Sequence, residues 1–469
     1  MNDGLRSQRE PGGQANARES DLRPQSAGAA LNRTPLANRL HIAICGRRNA
    51  GKSSLINALA RQDVALVSPV AGTTTDPVYK AMEIHGLGPV VLIDTPGLDD
   101  EGELGAARVA RTQRVLRKAD VVLVAIDGTA GPGETERELV AGLRAARRPF
   151  AIAVTKADLP AATWAAGSGP AAARDRLCGP EADAPALAVS SATGAGISEL
   201  VAALRVLATP GADSGGAAAA TGAAGASGAA CAAPIVADLL KPGDICVLVT
   251  PIDAEAPQGR MILPQVQALR DILDAHAVAV FAQPEELPAA LAGLAAPPRL
   301  VITDSQAFGA VSAQLPPEMP LTSFSILFAR HKGDLAALTA GAAAVDELRP
   351  GDPVLIAEAC THHPVADDIG RVKIPAWLNR RVGGPLAYTW VAGGSFPADL
   401  ARFKLVIHCG GCMINRREML ARIADAQAAG VPIVNYGVLI AHLHGILARA
   451  IAPFSRTLPP ITAAAPAGR

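Results

Sequence analysis

The chain has 469 residues, enough for two to four domains of ordinary size, and its 43 basic and 43 acidic residues cancel to a formal net charge of zero. That balance argues against a nucleic-acid partner and against an anionic membrane surface. Every apolar run breaks within about ten residues, short of the roughly 20 a spanning helix needs, and the N-terminal stretch lacks a signal-peptide core, so the chain reads as cytoplasmic with no membrane span.

Residues 1–37 lack periodicity and read as a disordered tail, as do residues 457–469. From His41 a strand (HIAIC) leads through a glycine-containing loop into an amphipathic helix near Ser53–Arg61. Strand-like runs recur at Val90–Ile93, Val121–Ile126, Phe150–Val154 and Ala186–Val189, with helical patterns at Gly105–Ala119 and Thr135–Ala146. This alternation predicts a mostly parallel α/β sheet over residues 38–207. Residues 208–233 are low-complexity Ala/Gly/Ser and read as a flexible linker. Two smaller α/β patterns follow, at 234–322 and 323–456.

Gly46-Arg47-Arg48-Asn49-Ala50-Gly51-Lys52-Ser53 matches a phosphate loop and lies between a predicted strand and a predicted helix, the context the motif requires. The glycines let successive N–H groups face a phosphate, and the helix that opens at Ser53-Ser54 adds its dipole. Lys52 would reach the β- and γ-phosphates, and Ser53 would offer a hydroxyl to Mg²⁺. Asp94-Thr95-Pro96-Gly97 follows a buried strand, placing Asp94 at the Mg²⁺ water shell and the Gly97 N–H at the γ-phosphate. Between them, Gly72-Thr73-Thr74-Thr75-Asp76 holds the switch threonine, expected to be Thr74 beside Thr73. Thr155-Lys156-Ala157-Asp158 would read the base, because the Asp158 carboxylate can accept from both guanine donors, a pair adenine lacks. Thr155 stands where GTPases usually carry Asn. Ser191 and Ala192 follow the last strand and would close over the guanine O6. Four motifs in order make GTP the expected ligand.

Leu98 follows the Asp94 motif where many GTPases have a water-orienting Gln, so intrinsic hydrolysis is expected to be slow. Arg47 and Arg48 lie in the loop as weak candidates for the γ-phosphate. Asn49, with the switch threonines, resembles the potassium-activated TrmE/Era class, in which K⁺ held partly by that Asn supplies charge. A plain turn residue is the alternative for Asn49.

Cys360-Thr361-His362 and His408-Cys409-Gly410-Gly411-Cys412 each follow a predicted strand, which would put both on loops at one carboxyl edge of a parallel sheet. Spacing alone leaves zinc, as Cys₃His, and an iron–sulfur cluster both open. His408 and Cys409, adjacent in an extended chain, would point opposite ways. Cys45, Cys178, Cys231 and Cys246 have no partner spacing, and Cys45 reads as a core residue.

A GTPase domain followed by CxH and HCxxC about 45 residues apart resembles the HydF family of FeFe-hydrogenase maturation GTPases, over residues 38–455 or so. The resemblance implies a homodimer with a GTPase domain, a dimerisation domain (234–322) and a cluster domain (323–456). It implies a 4Fe-4S cluster on Cys360, Cys409 and Cys412, a diiron precursor as cargo, and HydE-like and HydG-like radical-SAM maturases and the FeFe-hydrogenase apoprotein as partners. His362, two residues from Cys360, is then the expected fourth ligand. The competing expectation is a TrmE/Era-like GTPase in RNA modification or ribosome assembly with a structural zinc.

Overall fold

β1 (Leu40–Cys45), β3 (Gly88–Asp94), β4 (Val121–Asp127) and β5 (Phe150–Thr155) are runs of apolar residues buried on both faces, the signature of strands inside a parallel sheet. In the computed structural model they form, with β2 (Val78–Ile84) and β6 (Ala186–Ala188), a six-stranded sheet ordered β2-β3-β1-β4-β5-β6. Only β2 runs antiparallel, against β3. The structure describes residues 34–60, 78–95, 112–160, 169–180, 183–209, 234–252, 261–359, 368–393 and 396–455. Leu36–Arg469 forms one unit.

α1 (Lys52–Ala60) and α5 (Ile197–Ala208) cover one face of this sheet through Leu55, Leu59, Leu200 and Leu204. The other face takes Val115 and Leu116 of α2 (described over 112–118), Val140 and Leu143 of α3 (Glu134–Ala145), and Leu177 of α4 (Pro170–Cys178). Leu36–Asn38 already forms a turn of 3₁₀ helix inside the expected tail, and α5 runs to Ala208, one residue into the expected linker.

Two four-stranded sheets follow, and every strand pairing in both is parallel. One is ordered β10-β9-β7-β8, from β7 (Ile245–Val249), β8 (Val278–Ala282), β9 (Leu300–Thr303) and β10 (Leu321–Ser323). It is interleaved with α6 (Leu263–Asp274), α7 (Leu287–Ala292) and α8 (Phe308–Gln314). The other is ordered β12-β11-β13-β14, from β11 (Pro353–Glu358), β12 (Ala387–Ala392), β13 (Leu405–His408) and β14 (Ile433–Asn435). Its helices are α10 (Leu335–Ala342), α11 (Ile374–Val382), α12 (Arg416–Ala428), α13 (Tyr436–Leu443) and α14 (Leu447–Ile451).

The two sheets share one continuous apolar core running from Ile235 to Phe454. Between them lies α9 (Phe324–Lys332), started by Ser323, whose side chain accepts the Ile326 N–H. Its bonds run both ways: Arg330 pairs with Asp238 of the earlier region, and Lys332 bonds the turn after β13. The expected boundary at 322/323 therefore cuts the end of β10 and falls just before a helix that both regions use.

Candidate nucleotide and metal sites

The phosphate loop is shaped by its backbone. A side chain at Gly46 would put its Cβ 2.3 Å from the Ala125 carbonyl oxygen of β4, so only glycine lets the loop leave β1 there. Asn49 sits at φ +62° and Gly51 at φ +80°, left-handed conformations that Asn and Gly tolerate best. Lys52 is buried and its Nζ donates to the carbonyls of Gly46 (2.9 Å) and Arg47 (2.7 Å), bridging the loop it follows. Ala50 is buried beneath the loop, while Asn49, Ser53 and Ser54 face solvent. The Ser53 hydroxyl donates to Asp94 at 2.8 Å, so both expected Mg²⁺ groups converge at the carboxyl edge of the sheet. Thr73, Thr74, Gly97 and Leu98 lie outside the described residues.

Arg47 turns away from the phosphates. Its Nε donates to Glu136 at 2.7 Å and its Nη2 bonds the Gly131 carbonyl, while Glu136 is fully buried on α3. Its guanidinium braces the loop against α3.

The base-reading segment is equally tied down. The Thr155 hydroxyl lies between two buried carbonyls, Ala50 O of the phosphate loop (2.9 Å) and Ile126 O of β4 (3.0 Å), and can donate to one at a time. Thr155 thus links the phosphate loop to the base loop through its side chain. Lys156, at φ +63°, pairs with Asp127 at 2.5 Å. Asp158 stays exposed and accepts the Ser190 hydroxyl at 2.7 Å, while the Ala157 N–H donates to Val189 O at 3.1 Å. These bonds hold the Asp158 loop to the Ser191-Ala192 loop. Ser190, fully buried, is the positioning residue beneath them.

In the last region β11 and β13 are parallel neighbours, with Ala357 opposite His408. Cys409 therefore leaves β13 beside the point where Ala359 leaves β11. The Ala359 N–H donates to Cys409 Sγ at 3.1 Å, and the Gly411 N–H points to the same sulfur at 3.5 Å. Cys360 is the next residue after Ala359 in the chain; Cys360, His362 and His363 lie outside the described residues. Gly411, at φ +66°, makes the turn to Cys412. Backbone N–H groups aimed at sulfur favour a thiolate or a metal-bound sulfur over a neutral thiol. Burial pushes the Cys409 thiol up to about 11, so without a metal it stays protonated. Among the described residues no three His, Cys, Asp or Glu side chains gather on one point.

His408 is fully buried. Its Nε2 lies 3.1 Å from Arg422 Nη1, and arginine can only donate, so Nε2 accepts and the ring proton sits on Nδ1. Nδ1 then donates to the Cys409 carbonyl at 2.8 Å. Burial, reinforced by the Arg422 charge, pulls the imidazole down to about 4 and keeps it neutral. With both nitrogens engaged, His408 is a strut for the turn.

The turn also meets the first domain. Asn415, three residues past Cys412, caps α12 by accepting the Glu418 N–H at 3.0 Å, and its amide donates to the Lys118 carbonyl of α2 at 2.6 Å. Lys118 pairs with Glu418 at 3.4 Å and Arg117 with Asp425. Glu418 in turn bonds Arg422 at 2.8 Å.

Sequence reasoning did not single out Glu136, Lys332, Glu358, Asn415, Glu418 or Arg422. Asn415 was readable, since Asn followed by an acid three residues on is a helix-start signature. Glu136 and Lys332 lie far in the chain from the partners they bond, Glu418 and Arg422 pair with each other one helical turn apart, and Glu358, buried at the end of β11, takes Arg371 at 3.3 Å.

Residues 41–156 match the 50S ribosome-binding GTPase family, residues 235–333 the hydrogen maturase F dimerization domain and residues 336–453 the hydrogen maturase F tetramerization domain. Curated relatives include the tRNA modification GTPase MnmE of Bordetella petrii, 37% identical over 182 residues, which are 38% of this chain and 36% of that protein. MnmE of Synechococcus sp. is 36% identical over 206 residues, 43% of this chain and 41% of the relative. The chain thus spans less than half the length of these relatives. Among solved structures, the G domain of the T. maritima FeoB iron transporter is 24% identical with a TM-score of 0.28, covering 36% of this chain and 99% of that one. Aquifex aeolicus Era is 21% identical with a TM-score of 0.28, covering 54% of this chain and 97% of that one. With a P-loop GTPase domain ahead of both hydrogen maturase F domains, the chain belongs to the HydF family.

Proposed function

We propose that this chain hydrolyses GTP slowly, with K⁺ stimulation, and holds a 4Fe-4S cluster from which a diiron precursor is passed to an FeFe-hydrogenase apoprotein. The observation that carries the metal half is the Ala359 N–H on Cys409 Sγ, which brings the residue before Cys360 against the Cys409 turn. Cys360, Cys409 and Cys412 would hold the cluster, with His362 on the fourth iron. Imidazole binds iron less tightly than thiolate, which suits a site that accepts and releases a second metal unit. Bound there, the cluster would supply a redox-active anchor with one exchangeable position. HydE-like and HydG-like maturases are the expected donors, and a homodimer the expected assembly.

The nucleotide half rests on the Ser53–Asp94 pair and on Asp158 held by Ser190. Mg²⁺ would lie at Ser53 and Asp94, with Thr74 completing its shell, and K⁺ at Asn49. The Gly97 N–H would report the γ-phosphate.

The experiment is anaerobic purification and iron counting. Wild type should be brown with about four irons per chain, since Zn²⁺ is colourless and a 4Fe-4S cluster is not. Cys409→Ser and Cys412→Ser should lose most of that iron; a colourless zinc protein would end the cluster reading. Equal turnover in K⁺ and Na⁺ would remove the potassium part.

A further inference from the structure

The turn that carries Cys412 is held by a cation from the other sheet's side of the core. Lys332, the last residue of α9, is 2% exposed, and its stem crosses the Phe328 ring with Nζ 5.6 Å from the centroid. Nζ donates to the carbonyls of Gly411 (3.3 Å), Cys412 (2.9 Å) and Ile414 (3.0 Å), matching its three N–H groups to three acceptors. The arrangement is reciprocal: Arg416, at the start of α12, donates to the carbonyls of His331 (2.8 Å) and Gly333 (3.1 Å) at the end of α9. The α9 terminus thus has its own cation, and Lys332 is left for the turn. All of its acceptors are neutral, so the charge stays uncompensated by them.

We propose that Lys332 is a positioning residue for the metal site: its ammonium fixes the Cys412 turn through three carbonyls and supplies the positive charge that offsets metal-bound thiolates. This rests on Cys409 and Cys412 being metal ligands. A nearby cation stabilises the more negative, reduced form of a cluster, so its loss lowers the reduction potential.

The test uses the full chain, reconstituted anaerobically with ferrous iron and sulfide. Iron per chain, the rate of iron loss to a chelator and the potential from an EPR-monitored titration are read together. Lys332→Met should lose iron about tenfold faster and, at a fixed potential, show about a tenfold smaller reduced-to-oxidised ratio, equivalent to about 59 mV for one electron. Lys332→Arg keeps the charge but fits three converging carbonyls poorly, so it should keep the wild-type potential while losing iron faster. Wild-type iron loss and potential in Lys332→Met would overturn the proposal. If Lys332→Met fails to fold by its melting curve, Lys332→Arg decides, and an unchanged iron-loss rate there overturns it. Cys409→Ser separates the two readings: full iron in that variant breaks the ligand assignment, whereas its loss beside an unaffected Lys332→Met breaks only the role of Lys332.

Discussion

The nucleotide site and the cysteine turn lie at carboxyl edges of parallel sheets, yet they are held in different ways. The nucleotide site is braced by its own domain: Thr155 touches Ala50, Ser190 touches Asp158, Ser53 touches Asp94, and Glu136 takes Arg47. The cysteine turn is braced partly from outside: Arg422 acts through His408 within its own sheet, but Lys332 reaches the turn from α9 and its next helix start is bonded to α2 of the GTPase domain. A site with internal bracing should tolerate change elsewhere in the chain, and a site with external bracing should not.

Substitutions at four positions test that difference. The largest effect should come from Lys52→Ala, which removes the buried ammonium that bridges Gly46 and Arg47 and is proposed to reach the phosphates; turnover by phosphate release should fall roughly 10²–10³-fold. Arg47→Ala leaves Glu136 buried without its cation and should lower unfolding stability by about 3 kcal/mol, discounted because Arg47 is partly exposed. Its turnover should fall less than about threefold once folded; a loss near that of Lys52→Ala would place Arg47 on the γ-phosphate. Thr155→Ala strips the hydroxyl from between two buried carbonyls and should cost about 2 kcal/mol in denaturant melts, with GDP affinity down about tenfold. Thr155→Asn should recover most of it. The smallest effect should be Asn415→Ala, about 1 kcal/mol from the lost cap. It should leave GTP turnover unchanged while quickening iron loss, the signature of external bracing; a change in turnover instead would show that the nucleotide site also leans on this contact.

The same difference explains what could be read in advance. The phosphate loop, the Asp94 motif and the base-reading segment each occupy consecutive residues, because a ligand-sized phosphate or base is wrapped by one stretch of backbone. Gly46 and Gly51 were legible for that reason. The α/β alternation was legible from apolar runs buried on both faces, but β12 was not: its residues are half-exposed at a sheet edge and show no such run. The short α9 was missed because FSILFARHK mixes apolar residues with a basic end and, being buried along most of its length, has no polar stripe. Lys332 and Glu136 looked like surface charges, and nothing local marks a charge whose partner is tens of residues away. Thr155 read only as a departure from the usual Asn, whereas its hydroxyl lies between the Ala50 and Ile126 carbonyls and braces the loops.

The pairing of β11 with β13 also has a kinetic side. Ala357 and His408 are opposite one another but about fifty residues apart in sequence, and a parallel pair cannot be closed by a hairpin, so this contact carries the entropy of a long loop. Ala359, the residue before Cys360, has no Cys409 sulfur to donate to until β13 has been made and inserted beside β11. Lys332 waits on the same event. On the proposed cluster reading, loading would wait for a finished sheet and would report completed topology. A chain stalled partway through this last region would carry its first cysteine as an ordinary, unpartnered thiol.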